Sequence, residues 1–177
     1  MRKVIVSSLV SADGIYGDPQ SWAGDYFDEQ AETESLAVLL GSDAMLMGRS
    51  TYEYLAPAWS SRSGPYLERI NQIRKYVVSS TLTAADWANT TIIPGDPVAA
   101  VRELKDQGDR HLVIYGYGQL AQTLLEHGLV DQLNLVINPV MLGGGTTLFR
   151  PGKRTNLRLV SVTERGNGVV TLSYASA

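Results

Sequence analysis

The 177-residue chain has no cysteine. That excludes disulfides, cysteine-ligated zinc and thiol nucleophiles, and leaves the redox compartment open. No apolar stretch approaches the roughly 20 residues that span a bilayer. The opening MRKVIVSSLVSADG reaches Asp13 and Gly14 without the long apolar region and small-residue cleavage site of a signal peptide. A cytoplasmic protein with no membrane partner is the default expectation. Positive charge is not in excess either: 15 Lys and Arg stand against 18 Asp and Glu, a formal charge of -3. With no basic cluster and no aromatic-plus-basic stripe, nucleic acid is not an expected partner. The two histidines, His111 and His127, lack metal-ligand spacing, and neither GxSxG, a Walker loop nor a zinc-deaminase pattern occurs. Hydrolysis by a metal or a serine triad therefore lacks its parts.

What remains is an ordinary globular composition, 44% hydrophobic and 19% charged. A chain of this length buries about 70% of its extended surface, so one domain over residues 1–177 needs no staple. Short apolar runs at Val4–Val6, Ala44–Met47, Tyr76–Val78 and Leu112–Tyr115 lack strict alternation, as strands covered on both faces do. Helices are predicted over Glu29–Leu40, Pro97–Gln107, Gln119–His127 and Tyr66–Ile73, with Pro57–Gly64 read as a loop. Asp96 and Pro97 form a helix start and Gly108 a left-handed exit. After Gly128 the pattern turns to β: VDQLNLVINPV, then Leu157–Thr163 and Val169–Tyr174 around Gly166-Asn167-Gly168, an antiparallel hairpin. The expected class is α/β, a mixed and mostly parallel sheet flanked by helices with an antiparallel C-terminal hairpin.

Two strand-to-helix junctions are either ordinary turns, the first with an exposed Arg49, or seats for phosphate groups. In LMGRSTYE, residues 46–53, a strand ends at Gly48 and Ser50 with Glu53 has capping-box spacing. Free N–H groups, the positive helix end and the Arg49 guanidinium suit a phosphate. In VIYGYGQLAQTLL, residues 113–125, Gly116 and Gly118 flank Tyr117 before the next helix, and backbone N–H groups there can face a pyrophosphate. The third glycine and acidic ribose ligand of a dinucleotide fingerprint are missing. A third stretch, SADGIYGDPQSWAGDYFDEQ at 11–30, reads as a loop over a pocket. Trp22, Tyr26 and Phe27 either stack on a planar ring or anchor the loop, and Asp25 and Asp28 are candidate proton relays, Asp28 equally a helix N-cap. GGGTTLF at 143–149 either cradles a ligand or closes a turn.

Taken in order, SLVSADG, LMGRSTYE, KYVVSSTL, VIYGYGQL and GLVDQLNLVINPVMLGGGTTLF make the whole chain resemble the dihydrofolate reductase-like superfamily. It is most similar to small proteins related to the reductase domain of the bifunctional riboflavin-biosynthesis deaminase/reductase. The resemblance implies NADPH, with NADH not excluded, lying across strand ends, and a small pterin, pyrimidine or related imine as substrate. It implies that Gly48, Arg49, Ser50 and Thr51 hold cofactor phosphates, and that Ser79 and Ser80 border the adenosine half. Gly116, Tyr117, Gly118, Gln119 and Leu120 would lie along the pyrophosphate, and Ile15 and Gly17 would flank the nicotinamide. Family members often carry a basic residue near Ser80; this chain does not. On the catalytic side Asp28 is the first candidate, then Asp25, while Asp13 matches an Asp-Gly element that orders the loop or substrate. Members are often homodimers, and the apolar run at 129–142 fits a subunit contact or the core equally well. A non-catalytic nucleotide or flavin binder using the same pocket is the competing reading.

Overall fold

The short apolar runs become the middle of a sheet because each is covered on both sides. A computed structural model describes residues 2–149 and 154–176. Among them, β1 (Val4–Ser11), β2 (Ser42–Gly48), β3 (Arg74–Val78), β4 (Thr90–Ile93), β5 (His111–Tyr115), β6 (Gln132–Asn138), β7 (Leu157–Glu164) and β8 (Val170–Ser176) form an eight-stranded sheet ordered β4-β3-β2-β5-β1-β6-β8-β7. Strands β1 to β6 pair in parallel, and β8 runs antiparallel between β6 and β7. The mixed sheet with an antiparallel C-terminal pair is thus the expected architecture.

Helices α1 (Glu29–Leu40), α2 (Arg49–Trp59), α3 (Pro65–Gln72), α4 (Pro97–Lys105) and α5 (Gln119–Glu126) complete the layers. On one face Val98, Val101 and Leu104 of α4 and Leu124 of α5 pack on Val6, Leu46 and Leu112. On the other, Leu39 of α1, Leu55 of α2 and Ile70 of α3 pack on Met45, Met47 and Val113. Leu39 and Ile70 are fully buried; truncating either to alanine costs about 2–5 kcal/mol. Asp28 caps α1 by accepting from the Ala31 N–H at 2.9 Å, and Asp96 caps α4 through the Val98 and Ala99 N–H groups.

Two readings change. Helix α2 continues through Pro57, where a loop was expected: proline lies in its last turn, so its missing N–H breaks one bond near an end that frays in any case. Strand β4 was not foreseen, being a short, threonine-rich sheet border rather than a covered run. Strand β6 is paired along both edges, with β1 and β8, so backbone pairing between subunits through 129–142 has no free edge there.

The far border is β7. It carries a bulge at Val160, where the register with β8 shifts between Leu159 and Ser161. Leu159, Val160 and Val162 are each about half exposed, at 50%, 55% and 56%.

Candidate functional site

Parallel neighbours β2 and β5 end on the same edge of the sheet, so the two glycine turns that follow them meet. A Cβ built on Gly48 would lie 3.7 Å from Leu120 Cβ, and one on Gly118 would lie 3.9 Å from Thr51 Oγ1. Gly48 is the N-cap of α2 and Gly118 that of α5, and neither helix start receives a side-chain cap. The capping box expected at Ser50 and Glu53 does not form. Helix α2 already begins at Arg49, and Glu53 takes the Arg49 Nε–H at 2.7 Å one turn away. Two helix N-termini with uncapped N–H groups thus lie side by side. Gly116 has φ +89°, and nothing lies within 4 Å of where its Cβ would stand; the turn needs glycine for its backbone and leaves open space above it.

That space is continuous with a cavity of about 800 Å³, the size of a ligand site. Ser50, Thr51, Gly116, Tyr117 and Gly118 line one end, and Gly17 faces them from the loop after β1. Tyr16 also lines this wall, its ring edge-on to Tyr117 at 5.8 Å, and its hydroxyl accepts from Gln122 Nε2 at 3.2 Å. Ile15 is buried beneath, bridged to Thr147. The GGGTTLF segment therefore braces the first loop: Tyr16 N–H donates to the Thr146 carbonyl at 2.9 Å, and Gly145 approaches Ile15 too closely to accept a Cβ. Trp22 anchors the same loop, donating from Nε1 to the Gly17 carbonyl at 2.9 Å.

The adenosine-side candidates lie outside the cavity, at the rim where α2 and the β3 exit meet. Arg49 reaches across to Thr81, NH1 to Oγ1 2.9 Å. Ser79 is buried and its Oγ accepts from the Thr81 and Leu82 N–H groups, shaping the turn. Ser80 and Gln119 are exposed, and Leu120 is half-buried against Gly48.

The three aspartates are not cavity-lining residues. Asp28 caps α1 and accepts from Asn167 Nδ2 at 2.7 Å. Asp25 is exposed in a short 3-10 turn, Gly24–Tyr26. Asp13 accepts from Ser11 Oγ and from the Leu142 and Gly143 N–H groups. These bonds, the Ser11 one foremost, hold its carboxyl down at about 2, so it stays ionised at neutral pH and cannot serve there as a proton donor.

The acids that do line the cavity are on α1 and in the loop, and sequence reasoning passed over them. Glu34 is bound to Arg165, 2.6 Å from NH2 and 2.8 Å from Nε. Glu32 has no side-chain partner among the described residues and lies near the Tyr66 hydroxyl, which burial pushes up to about 12. Tyr66 and Tyr115 are hydrogen-bonded to each other and, with Trp59 and Phe27, make an aromatic wall with ring separations of 6.0–6.5 Å. The floor is the sheet face of Ser7, Asn134, Val136 and Thr171. Asn134 is 7% exposed; its Oδ1 accepts from Gln132, while among the described residues its Nδ2 has no acceptor and the buried Thr171 Oγ1 has no partner. A polar group left unpaired beside a cavity calls for an explanation, and a ligand is one. The signal available in sequence was Asn134 alone, a polar residue inside the apolar run LNLVIN.

No helix of the described residues is long and apolar enough to cross a membrane, and they hold no group of three or more His, Asp or Glu side chains disposed to bind a metal. Comparison with known proteins agrees with the fold. The chain is 28% identical over 180 residues to the uncharacterized protein YyaP of Bacillus subtilis (strain 168), covering 98% of this chain and 94% of that one. To YwjB of the same organism it is 26% identical, covering 99% of both. The crystal structure of a putative riboflavin biosynthesis protein from Shewanella sp. PV-4 superposes with a TM-score of 0.81 at 21% identity, over 100% and 99% of the two chains. A pyrimidine reductase-like protein from Corynebacterium diphtheriae gives 0.74 at 14% identity, over 99% and 92%. Residues 2–171 match the family described as the RibD C-terminal domain, and with that match over nearly its whole length the chain belongs to this family.

Proposed function

We propose that this protein is a pyrimidine reductase-like enzyme that uses NADPH to reduce a C=N bond in a small pyrimidine, pterin or related imine. The observation that carries the reading is the meeting of the two uncapped, glycine-started helices α2 and α5 at the mouth of the cavity. Aligned N–H groups and two helix dipoles favour a diphosphate there without any basic side chain. The residues present fit the cofactor. Ser50, Thr51 and the Gly116–Gly118 turn would hold the diphosphate, and Arg49 with Thr81 would meet the phosphate on the adenosine ribose. Ile15 to Gly17 would bound the nicotinamide. When bound, the dihydronicotinamide supplies a hydride at its C4.

The chain's own part is to orient the imine and provide the proton. The aromatic wall stacks a planar ring, while Asn134 Nδ2 and Thr171 Oγ1 hydrogen-bond its polar edge. Glu32 would pass a proton to the nitrogen, which together with the cofactor's hydride balances the reduction of C=N to CH–NH. General acid assistance of this kind is worth about 10²–10⁴ in rate. The loop of residues 16–27, pinned by Trp22, limits access of bulk water. The family match and the likeness of fold to a pyrimidine reductase-like protein support the reaction class.

Titration with NADPH and NADH, followed by cofactor fluorescence and melting temperature, tests the site. Oxidation of bound cofactor with a panel of pterins, pyrimidines and flavins then tests the chemistry. Tight binding of either dinucleotide with turnover on a ring C=N is expected. Absence of binding at millimolar dinucleotide removes the reading, and binding without oxidation on any member of the panel makes the protein a nucleotide or flavin binder instead.

A further inference from the structure

The opposite end of the sheet holds a second cavity, of about 780 Å³, between the start of β3, the end of α3 and the chain leading into β4. Its lining has a charge unlike the rest of the protein. Arg2, Arg69, Arg74 and Arg110 stand against Asp43 and Asp86, in a chain whose net charge is -3. Asp43 is already engaged: its carboxylate takes Arg2 NH2 and faces the Arg110 N–H. Among the described residues the other three guanidiniums donate hydrogen bonds to neutral acceptors, while the Asp43 charge also reaches Arg74. Arg69 NH2 donates to the Ser42 carbonyl at 2.9 Å, Arg74 NH1 to the Tyr76 hydroxyl at 3.2 Å, and Arg110 NH1 to the Leu40 carbonyl at 3.2 Å.

Two further atoms are unaccounted for in the same wall. Arg69 Nε and Thr90 Oγ1 are both buried without a hydrogen-bond partner among the described residues. A buried guanidinium N–H left unpaired is costly, and a concave surface with four arginines against two aspartates concentrates the opposite ion. The neutral lining includes the amides of Gln72, Asn89 and Gln107, whose side-chain carbonyl oxygens suit hydroxyl groups. The volume greatly exceeds that of a bare oxyanion.

We propose that this basic cavity is a second ligand site, separate from the one at the strand C-terminal ends, and that it takes a phosphate monoester with a hydroxylated body. Arg74 and Arg110, both exposed at the rim, draw in the dianion and hydrogen-bond it. None of these residues lines the first cavity, so the site stands whether or not the reductase reading does.

The test is calorimetric titration of the intact protein with inorganic phosphate, glucose 6-phosphate and glucose. Glucose 6-phosphate is expected to bind best, inorganic phosphate more weakly with the same salt dependence, and glucose not at all. Arg74→Ala and Arg110→Ala, both surface changes, should each weaken glucose 6-phosphate at least fivefold with the melting temperature unchanged, while Arg49→Ala at the other end leaves it intact. Equal binding of phosphate and its ester would overturn the hydroxylated-body assignment. No binding, binding of glucose alone, binding indifferent to both rim arginines, or loss in Arg49→Ala would overturn the site.

Discussion

The Asp13 carboxylate accepts a hydrogen bond of 2.7 Å from the backbone N–H of Gly143, 130 residues further along the chain. That contact ties the loop after β1 to the glycine-rich segment after β6, and so sets one wall of the first cavity. Its acid dependence has a definite sign. The folded-state value of about 2 lies below the unfolded value near 3.8, so the contribution is complete above pH 4 and is lost as pH falls toward 2. Hydrogen-exchange protection of the Leu142 and Gly143 amides should collapse across that window in the parent protein. In Asp13→Asn it should be low throughout; full protection of Gly143 in the variant removes the tie.

On the proposed reading, Glu32→Gln should lower kcat by about 10²-fold or more with the NADPH dissociation constant unchanged, since Glu32 lines the cavity from α1 and not from the glycine turns. Asp28→Asn should leave kcat within a factor of two, because that carboxylate is occupied with the α1 cap and Asn167. Stopped-flow single turnovers on both variants decide between the two acids; a large loss in Asp28→Asn alone reverses the assignment.

Arg49 is half exposed and already shared with Glu53 and Thr81. Its removal to alanine is therefore expected to weaken NADPH by only ~1 kcal/mol, about fivefold, below the range for a dedicated charged hydrogen bond. Glu53→Gln should do the reverse and tighten NADPH by freeing the guanidinium. Fluorescence titrations at two salt concentrations check both signs.

Lys75 is fully buried, with Nζ donating to the carbonyls of Asn71, Ile73 and Ala88 at 3.0–3.2 Å and lying 4.7 Å over the Trp87 ring. Burial pulls it down to about 8 from 10.5, against three carbonyls that favour the charge. Between pH 8 and 10.5 the unfolded chain binds more proton than the folded one, so this group makes stability rise with pH. Lys75→Met should abolish that rise relative to the parent, and at pH 7 should cost ~1–3 kcal/mol for carbonyls left without a donor. Urea midpoints at pH 7.5, 8.5 and 9.5 give the difference; parallel curves for the two proteins would mean that Lys75 does not titrate there.

The architecture was legible because its strongest signals are local. Covered parallel strands read as unbroken apolar runs, and Asp28, Asp96 and Pro97 announce helix starts whatever surrounds them. The glycine turns at Gly48 and Gly116 were legible for the same reason, and their meeting follows from β2 and β5 being parallel neighbours. The rest of the cavity lining was not legible. Glu32, Asn134, Arg165 and Thr171 come from α1, β6, the hairpin turn and β8, and each looks like an ordinary surface or strand residue until the sheet order brings them together. The Ser50–Glu53 spacing misled because Arg49 offered Glu53 a charged partner one turn away.

The extra residue at Val160 bears on how the molecule keeps to itself. An open sheet border offers a ladder of unpaired amides on which another molecule's strand can dock, and a misaligned step in that ladder is one of the standard protections against it. With half-exposed Leu159 and Val162 flanking the step, this protection is needed here more than at the short border β4. A chain shortened by deleting Val160 is expected to polymerise on concentration, visible as light scattering, while the parent stays clear.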